Sequence, residues 1–351
     1  MAQSVRAVAR FFQEKIGWNR VGFVLSLAII TVALIVLVRI LRGIDIDQVI
    51  KAVQATERED ILSAAFFVAA GYFTLTFYDL FALRTIGYRE IPYRIAALAG
   101  FTSYSIGHNV GASVFTGGAV RYRIYSAWGL DAVAVAKICF VAGLTFWLGN
   151  ATVLGLGVTY VPTAATWIDQ LPPWINRCIA LIILAVLSSY VCWVWSGRRE
   201  IGRREWKVTL PDGPLTLLQI GIGILDLGFC ALAMYMLLPD EPNIGFVTLA
   251  VIFVCATMLG FASHAPGGLG VFDAAMLVAL WQFDKEDVLA GLLLFRVLYY
   301  IIPFVISLTI LGTRELIVSM RAGSVSPQKP QAVDVAAPLK TEMLGEKSDV
   351  R

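Results

Sequence analysis

Two short stretches bring polar chemistry into long apolar surroundings: "GHNVGAS" at 107–113 and "SHAPGGLGVFD" at 263–273. Each holds one of the two histidines in the chain, set among glycines, and the second adds Pro266 and Asp273. Both stretches run on to a Val-Phe pair, so "HNVGASVF" and "HAPGGLGVF" resemble each other weakly. Gly and Pro in such runs break a helix. A helix broken inside lipid exposes backbone N–H and C=O groups, which is tolerated only where protein or a wet cavity covers them. The residues expected to surround such a site are His108, Asn109, Gly117, Gly118, Arg121 and Arg123 at the first break. At the second they are His264, Pro266, Gly267, Gly268, Gly270 and Asp273. Three further charges lie inside apolar windows: Asp226 in "GILDLGFC", Arg296 in "LLLFRVLYYIIPF", and Asp79 in "TFYDLFALR". Charges at membrane depth usually face the interior and pair. Asp79 has the alternative of reaching the headgroups beside Arg84; Arg296 has Asp226, Asp273 or a lipid phosphate as partner. Arg121 and Arg123 suit phosphate, because a guanidinium forks two oxygens, although their charge also fits a plain topology signal.

The elements that must position these groups are membrane helices. The 351 residues are 58% hydrophobic and only 15% charged, with a mean hydropathy of +0.75. A soluble core cannot hide that much apolar surface, and roughly 20 apolar residues span a bilayer. Windows near 21–41, 61–83, 132–160, 175–196, 214–238 and 288–312 qualify, with interrupted apolar regions near 94–128 and 245–283. The expected class is an all-α polytopic membrane protein with about six full spans and two broken or re-entrant helical hairpins. The first window is too long for a signal peptide. The five cysteines form no CxxC pair and read as packing residues; no metal, disulfide or cofactor is expected.

Basic residues mark the cytoplasmic side. Arg6, Arg10, Lys15 and Arg20, then Arg84, Arg89 and Arg94, the loop "SGRREIGRREWK", and Arg314 with Arg321 all read as inside. The base-free 161–174 and the acidic "PDEPN" at 239–243 read as outside. The region between Arg94 and Arg121 then enters and leaves on the inner face, and 245–283 starts and ends outside, as a second hairpin or a double crossing. Span, span, hairpin, span would occur twice in opposite senses, an inverted repeat. The expected organisation is a cytoplasmic segment 1–20, repeats 21–160 and 161–320, and a disordered cytoplasmic tail 321–351 rich in Pro, Ser and charge.

The segments "SIGHNVGASVFTGGAVRYRIYSAWGL", "LDLGFCALAMYMLLP", "PGGLGVFDAAML" and "FRVLYYIIPF" together resemble the transmembrane domain of the bacterial lysylphosphatidylglycerol synthetase/flippase family and its stand-alone, flippase-like relatives. The likeness runs from about Val21 to Arg314. It maps the family's Gly-Gly…Arg-Tyr-Arg onto Gly117, Gly118, Arg121, Tyr122 and Arg123, and its Pro-Gly-Gly-Leu-Gly onto residues 266–270. Its Arg…Tyr-Tyr…Pro falls on Arg296, Tyr299, Tyr300 and Pro303. Where the family usually has Glu after Val-Phe, this chain has Asp273, which keeps the charge. The resemblance implies a multi-pass protein of the bacterial inner membrane that moves lipids or assists their metabolism. The bifunctional members' soluble aminoacyl-transferase domain has no counterpart in this sequence, so lysylphosphatidylglycerol synthesis is not expected.

The expected function is therefore lipid translocation, with an anionic or polar headgroup held between the two breaks. The lipid is open among aminoacylated phosphatidylglycerol, another phospholipid, an isoprenoid-type lipid and a hopanoid. The absence of GxxxxGK[ST] excludes a P-loop ATPase, leaving downhill movement or coupling to an ion gradient through the histidines or acids. The alternatives are a non-catalytic membrane subunit working with the enzymes of a lipid pathway, and a membrane-embedded lipid-modifying enzyme. Against the latter, neither histidine leads a His-x4-Asp pattern, and no paired-aspartate motif occurs. The partners expected are membrane lipids and not nucleic acid.

Overall fold

In the computed structural model the described residues are 46–111, 113–203 and 206–323. The first apolar window at 21–41, the segment 1–20 and the tail beyond 323 lie outside them. The chain divides into two units, Met1–Ile310 and Leu311–Arg351.

The helices follow the apolar windows. After α1 (Ile46–Ala55) come α2 (Arg58–Thr85), the pair α3 (Tyr93–Val110) and α4 (Ser113–Tyr125), then α5 (Ala132–Tyr160). A short α6 (Thr166–Asp169) precedes α7 (Pro173–Trp195), and a β-hairpin, β1 (Glu200–Arg203) with β2 (Trp206–Thr209), precedes α8 (Gly213–Tyr235). The second pair is α9 (Phe246–Ser263) and α10 (Val271–Ala279); α11 (Lys285–Phe295), a π-helical stretch (Arg296–Ile301) and α12 (Ile302–Gly323) form one last rod. Six described helices are long and apolar enough to cross a membrane: α2, α5, α7, α8, α9 and the rod that α11 begins. The chain is thus an all-α multi-pass membrane protein. The basic loop is partly a two-stranded hairpin, with Ile201 opposite Val208.

Helix starts are written in the sequence. Asp131 and Asp212 cap α5 and α8 by accepting from the N–H groups of Ala134 (2.7 Å) and Leu215 (3.1 Å), satisfying donors that the first turn leaves free. Helix α5, at 29 residues, is about 44 Å long at 1.5 Å per residue, more than a bilayer core requires. On α7 only 11% of the apolar window is buried, against 44% on α2, α5 and α8, so α7 is the least covered of these helices. Its exposed Trp174 lies at one end and Trp193 and Trp195 at the other, the placement expected of interfacial aromatics.

The core sits where α2, α5, α8 and α9 pack together. The crossing of α5 and α8 is set by Gly149 and Gly223, since a Cβ on Gly149 would lie 2.7 Å from the Gly223 Cα. Only glycine at both positions permits that backbone approach. Next to it, Gln219 donates through Nε2 to Thr145 Oγ1 (2.7 Å), tying the same two helices by a buried polar contact.

Candidate functional site

Both predicted breaks are present, and they touch. Helix α3 persists to Val110, later than the "GHNVGAS" stretch suggests, and the chain turns at Gly111 with φ +83°. That φ lies in the left-handed region open mainly to glycine. A Cβ there would lie 3.2 Å from both the N and the Cα of Pro266, so the first turn is seated on the second. The second break is longer. Helix α9 ends at Ser263, His264 stands at φ 57°, and Gly267, Gly268 and Gly270 also take positive φ before α10 begins.

The weak likeness between the two stretches does not make the histidines equivalent. His108 lies within α3, packed between Tyr104 (ring centroids 5.7 Å) and Tyr299 (6.2 Å, stacked). His264 is the exposed C-terminal cap of α9, with Nδ1 3.0 Å from the Ala262 carbonyl oxygen. The Val-Phe pairs do correspond: each stands in the first turn of the second arm, although Phe115 is 80% exposed and Phe272 only 3%.

Each break carries an ion pair. At the first, Arg121 on α4 donates through Nε to both Asp79 oxygens (3.0 Å each) and through Nη2 to Oδ1 (2.7 Å). The Tyr125 hydroxyl donates to Asp79 Oδ2 (2.8 Å), and the Tyr104 ring lies 4.8 Å from the guanidinium carbon. Asp79 therefore does not reach out beside Arg84; Arg84 instead donates to the Arg89 carbonyl (3.2 Å). At the second break Arg296 donates to Asp273, through Nε to Oδ1 (3.0 Å) and Nη2 to Oδ2 (2.6 Å), and through Nη1 to the Gly267 carbonyl (3.2 Å). Of the two acids open to Arg296 from sequence, Asp273 is the one used. Asp273 also accepts from the Gly270 N–H (3.0 Å). It is both the cap of α10 and a charge partner.

Between the breaks lies a cavity of about 280 Å³. Its polar lining includes Ser103, Tyr104, His108, Ser113, Arg121, Asp226, Thr257 and His264, and much of the rest is aromatic: Phe146, Trp147, Phe253, Phe261, Phe295, Tyr299 and Tyr300. Gly267 and Gly268 line it as well. The volume falls just below the small-ligand range of about 300–1,000 Å³, enough for a polar headgroup and too little for a whole lipid. Asp226 is 4% exposed; its Oδ2 accepts from the Tyr78 hydroxyl (2.9 Å), and its Oδ1 has no partner.

Other expected residues support the cavity without lining it. Arg123 and Tyr122 are exposed, because positions 121 and 123 point to opposite sides of a helix with 3.6 residues per turn. Gly117 lets α4 approach α3, where a Cβ would stand 3.1 Å from the Ser103 carbonyl oxygen; Gly118 packs toward Cys139. Gly270 is buried at the head of α10, and Pro266 is the seat of Gly111. Asn109 donates to the Ser105 (2.8 Å) and Tyr300 (3.0 Å) carbonyls.

Sequence reading missed the π-helical stretch Arg296–Ile301. Two of its carbonyls bond to outside donors: Tyr299 O accepts from the Tyr72 hydroxyl (2.9 Å) and Tyr300 O from Asn109. A wide turn loosens the regular i→i+4 ladder and frees such groups, and inside a membrane they must find partners. The cysteines were read as packing, yet Cys139 and Cys230 line the cavity. Among the described residues no group of three or more His, Cys, Asp or Glu gathers as a metal site.

No protein-family profile matches the chain. Individual relatives do. It is 29% identical to the uncharacterized protein slr0712 of Synechocystis over 270 residues, covering 77% of this chain and 84% of that one. It is 27% identical to the inner membrane protein YbhN of Escherichia coli over 299 residues, 83% of this chain and 91% of the other. It is 24% identical to the phosphatidylglycerol lysyltransferase of Staphylococcus xylosus over 300 residues, 83% of this chain but only 33% of that protein. The resemblance read from the motifs is borne out: the chain is similar to two proteins along most of their length, one of them an inner membrane protein, and to part of a phosphatidylglycerol lysyltransferase. About two thirds of that transferase has no counterpart in the match.

Proposed function

We propose that the protein moves a lipid across the bacterial inner membrane, with the polar headgroup held in the cavity between the two breaks and the acyl chains left in the surrounding lipid. One observation carries the reading: Gly111 is seated on Pro266 beside a cavity walled by Arg121, Asp226 and aromatic rings. A headgroup leaving water needs a polar site at membrane depth, because an unpaired polar group there costs several kcal/mol. The bonds from Arg121 to Asp79 use Nε and Nη2, and Nη1, which does not bond Asp79, is the nitrogen that would meet an oxygen of the headgroup. Arg123, on the outer side of the helix, remains a topology signal.

In this reading α3/α4 and α9/α10 are re-entrant arms of an inverted repeat, 21–160 and 161–320, entering from opposite faces. Both termini and the 197–207 loop are cytoplasmic, and 161–174 and 239–243 lie outside. Cysteine placed at position 167 should be labelled from the periplasm; labelling only from the cytoplasm removes the repeat. The chain acts without chemistry on the lipid, and its partners are membrane lipids.

The deciding experiment uses purified protein in liposomes containing fluorescent phosphatidylglycerol or phosphatidylethanolamine, with a membrane-impermeant quencher. Transport predicts loss of signal from the inner leaflet faster than in protein-free vesicles, with lipid masses unchanged. A folded protein that leaves the inner leaflet protected overturns the reading, and a new lipid mass indicates an enzyme instead.

A further inference from the structure

Among the described residues three acids are buried in the helical core, and two are paired with arginine: Asp79 with Arg121 and Asp273 with Arg296. Asp226 is the exception. Among the described residues no Lys or Arg lies in ion-pair range of it, its Oδ2 has one neutral donor, Tyr78, and its Oδ1 has none. Helix α2 presses on that side, since a Cβ on Gly71 would stand 3.8 Å from Oδ1, and the nearby Thr74 hydroxyl is spent on the Gly71 carbonyl (2.6 Å). A carboxylate kept so dry with one hydrogen bond is unfavourable when charged, and the ordinary remedy is to take up a proton. Asp226 also lines the cavity of about 280 Å³. A water molecule occupies about 30 Å³ in the liquid, so the cavity has room for several waters to bring a proton.

We propose that Asp226 is a protonation site whose proton is bound together with the headgroup of the transported lipid; this rests on the headgroup reading given above. With Asp226 ionised, the cavity holds a net negative charge, because Arg121 is balanced by Asp79. A headgroup phosphate is then repelled. A proton added to Oδ1 makes the neutral acid, leaves the Tyr78 bond on Oδ2 and opens the site to phosphate. One proton enters and leaves with each headgroup, and no bond to carbon or phosphorus changes. Proton and phosphate strengthen each other's binding by the same factor, so a proton gradient sets the direction of lipid movement.

The other titratable groups facing the site are Tyr78 and Asp79 from α2, Tyr104 and His108 from α3, and Arg121 from α4. Tyr72 also faces Asp226 from α2, and Cys139 on α5, Cys230 on α8, His264 at the end of α9 and the Tyr299–Tyr300 pair complete them. His108 and His264 are the two that must be separated from Asp226 experimentally, each by its Gln variant.

The first test is an infrared pH titration of the purified protein in detergent. It requires no lipid movement, so its outcome is independent of the liposome assay. The expected result is a protonated-carboxyl C=O band that titrates in the wild type, in His108→Gln and in His264→Gln, and is absent from Asp226→Asn. Tyr78→Phe removes a donor to the ionised form and should move the midpoint to higher pH, which keeps the test alive if Asp226→Asn fails to fold. The second test is binding of dihexanoyl phosphatidylglycerol, expected to be about tenfold tighter on the acid side, within the usual range of coupling, and pH-independent in Asp226→Asn. A carboxyl band identical in wild type and Asp226→Asn, a midpoint unmoved by Tyr78→Phe, or binding that keeps its full pH dependence in Asp226→Asn overturns the proposal.

Discussion

The two breaks hold their charges differently. Arg121 and Asp79 join helices 42 residues apart, with side chains 6% and 0% exposed, and Tyr125 and Tyr104 close over them. Arg296 and Asp273 are 23 residues apart, 15% and 11% exposed, and hold a turn whose backbone they also bond. The first pair is a fastening in the core. The second is a clasp on a glycine-rich turn at positive φ. A buried pair is poor at stabilising a fold compared with well-packed apolar groups, yet removing one partner is severe, because the other charge is stranded. The first break should therefore fail by unfolding and the second by losing function.

The sharpest way to break this comparison is Asp79→Asn, which strands Arg121. A loss of about 3–5 kcal/mol is expected, in the range for broken buried pairs, read as a lower Tm in detergent. Arg121→Ala should act likewise, losing stability together with transport. The double variant Asp79→Asn/Arg121→Gln should lose clearly less than the sum of the single changes. Additive losses would mean that the pair is not coupled.

Gly111→Val ranks next. It forces a branched side chain into a left-handed backbone and against Pro266, at about 1–3 kcal/mol for the strain, and it should slow lipid movement by parting the two turns. Normal transport would show that their contact is not needed. Asp273→Asn tests the clasp. Asn caps a helix about as well as Asp, so the Tm should move less than in Asp79→Asn, while transport falls several-fold and Asp273→Glu retains most of it. Unchanged transport in Asp273→Asn would reduce the clasp to a cap. The smallest effect belongs to Arg123→Ala, which points away from the cavity: stability and transport should both stay at wild-type values, and a transport defect would place a second headgroup contact outside the cavity.

Much of this was legible beforehand. Apolar length alone gave α2, α5, α7 and α8 to within a few residues, and Gly and Pro located both breaks. Burial of charge in apolar windows singled out Asp79, Asp226 and Arg296. What remained hidden depends on direction and distance. Arg121 and Arg123 look alike in sequence, and only the helix phase turns one inward. His108 and His264 look matched, yet one packs in a helix and the other ends one. The π-helical stretch leaves no compositional mark, since its wider turn is stabilised by Tyr72 and Asn109, from helices far away in the chain.

Sequence by itself determined the solvent and the plan. Chain length, hydropathy and broken runs follow from the cost of exposing backbone and charge to lipid, a cost each segment meets on its own. Tertiary structure decided the pairings: which arginine meets which acid, which turn rests on which, and why Asp226, alone of the buried acids among the described residues, lacks a cation. Those outcomes depend on contacts of a few ångströms between helices remote in sequence, and no local pattern of residues encodes them.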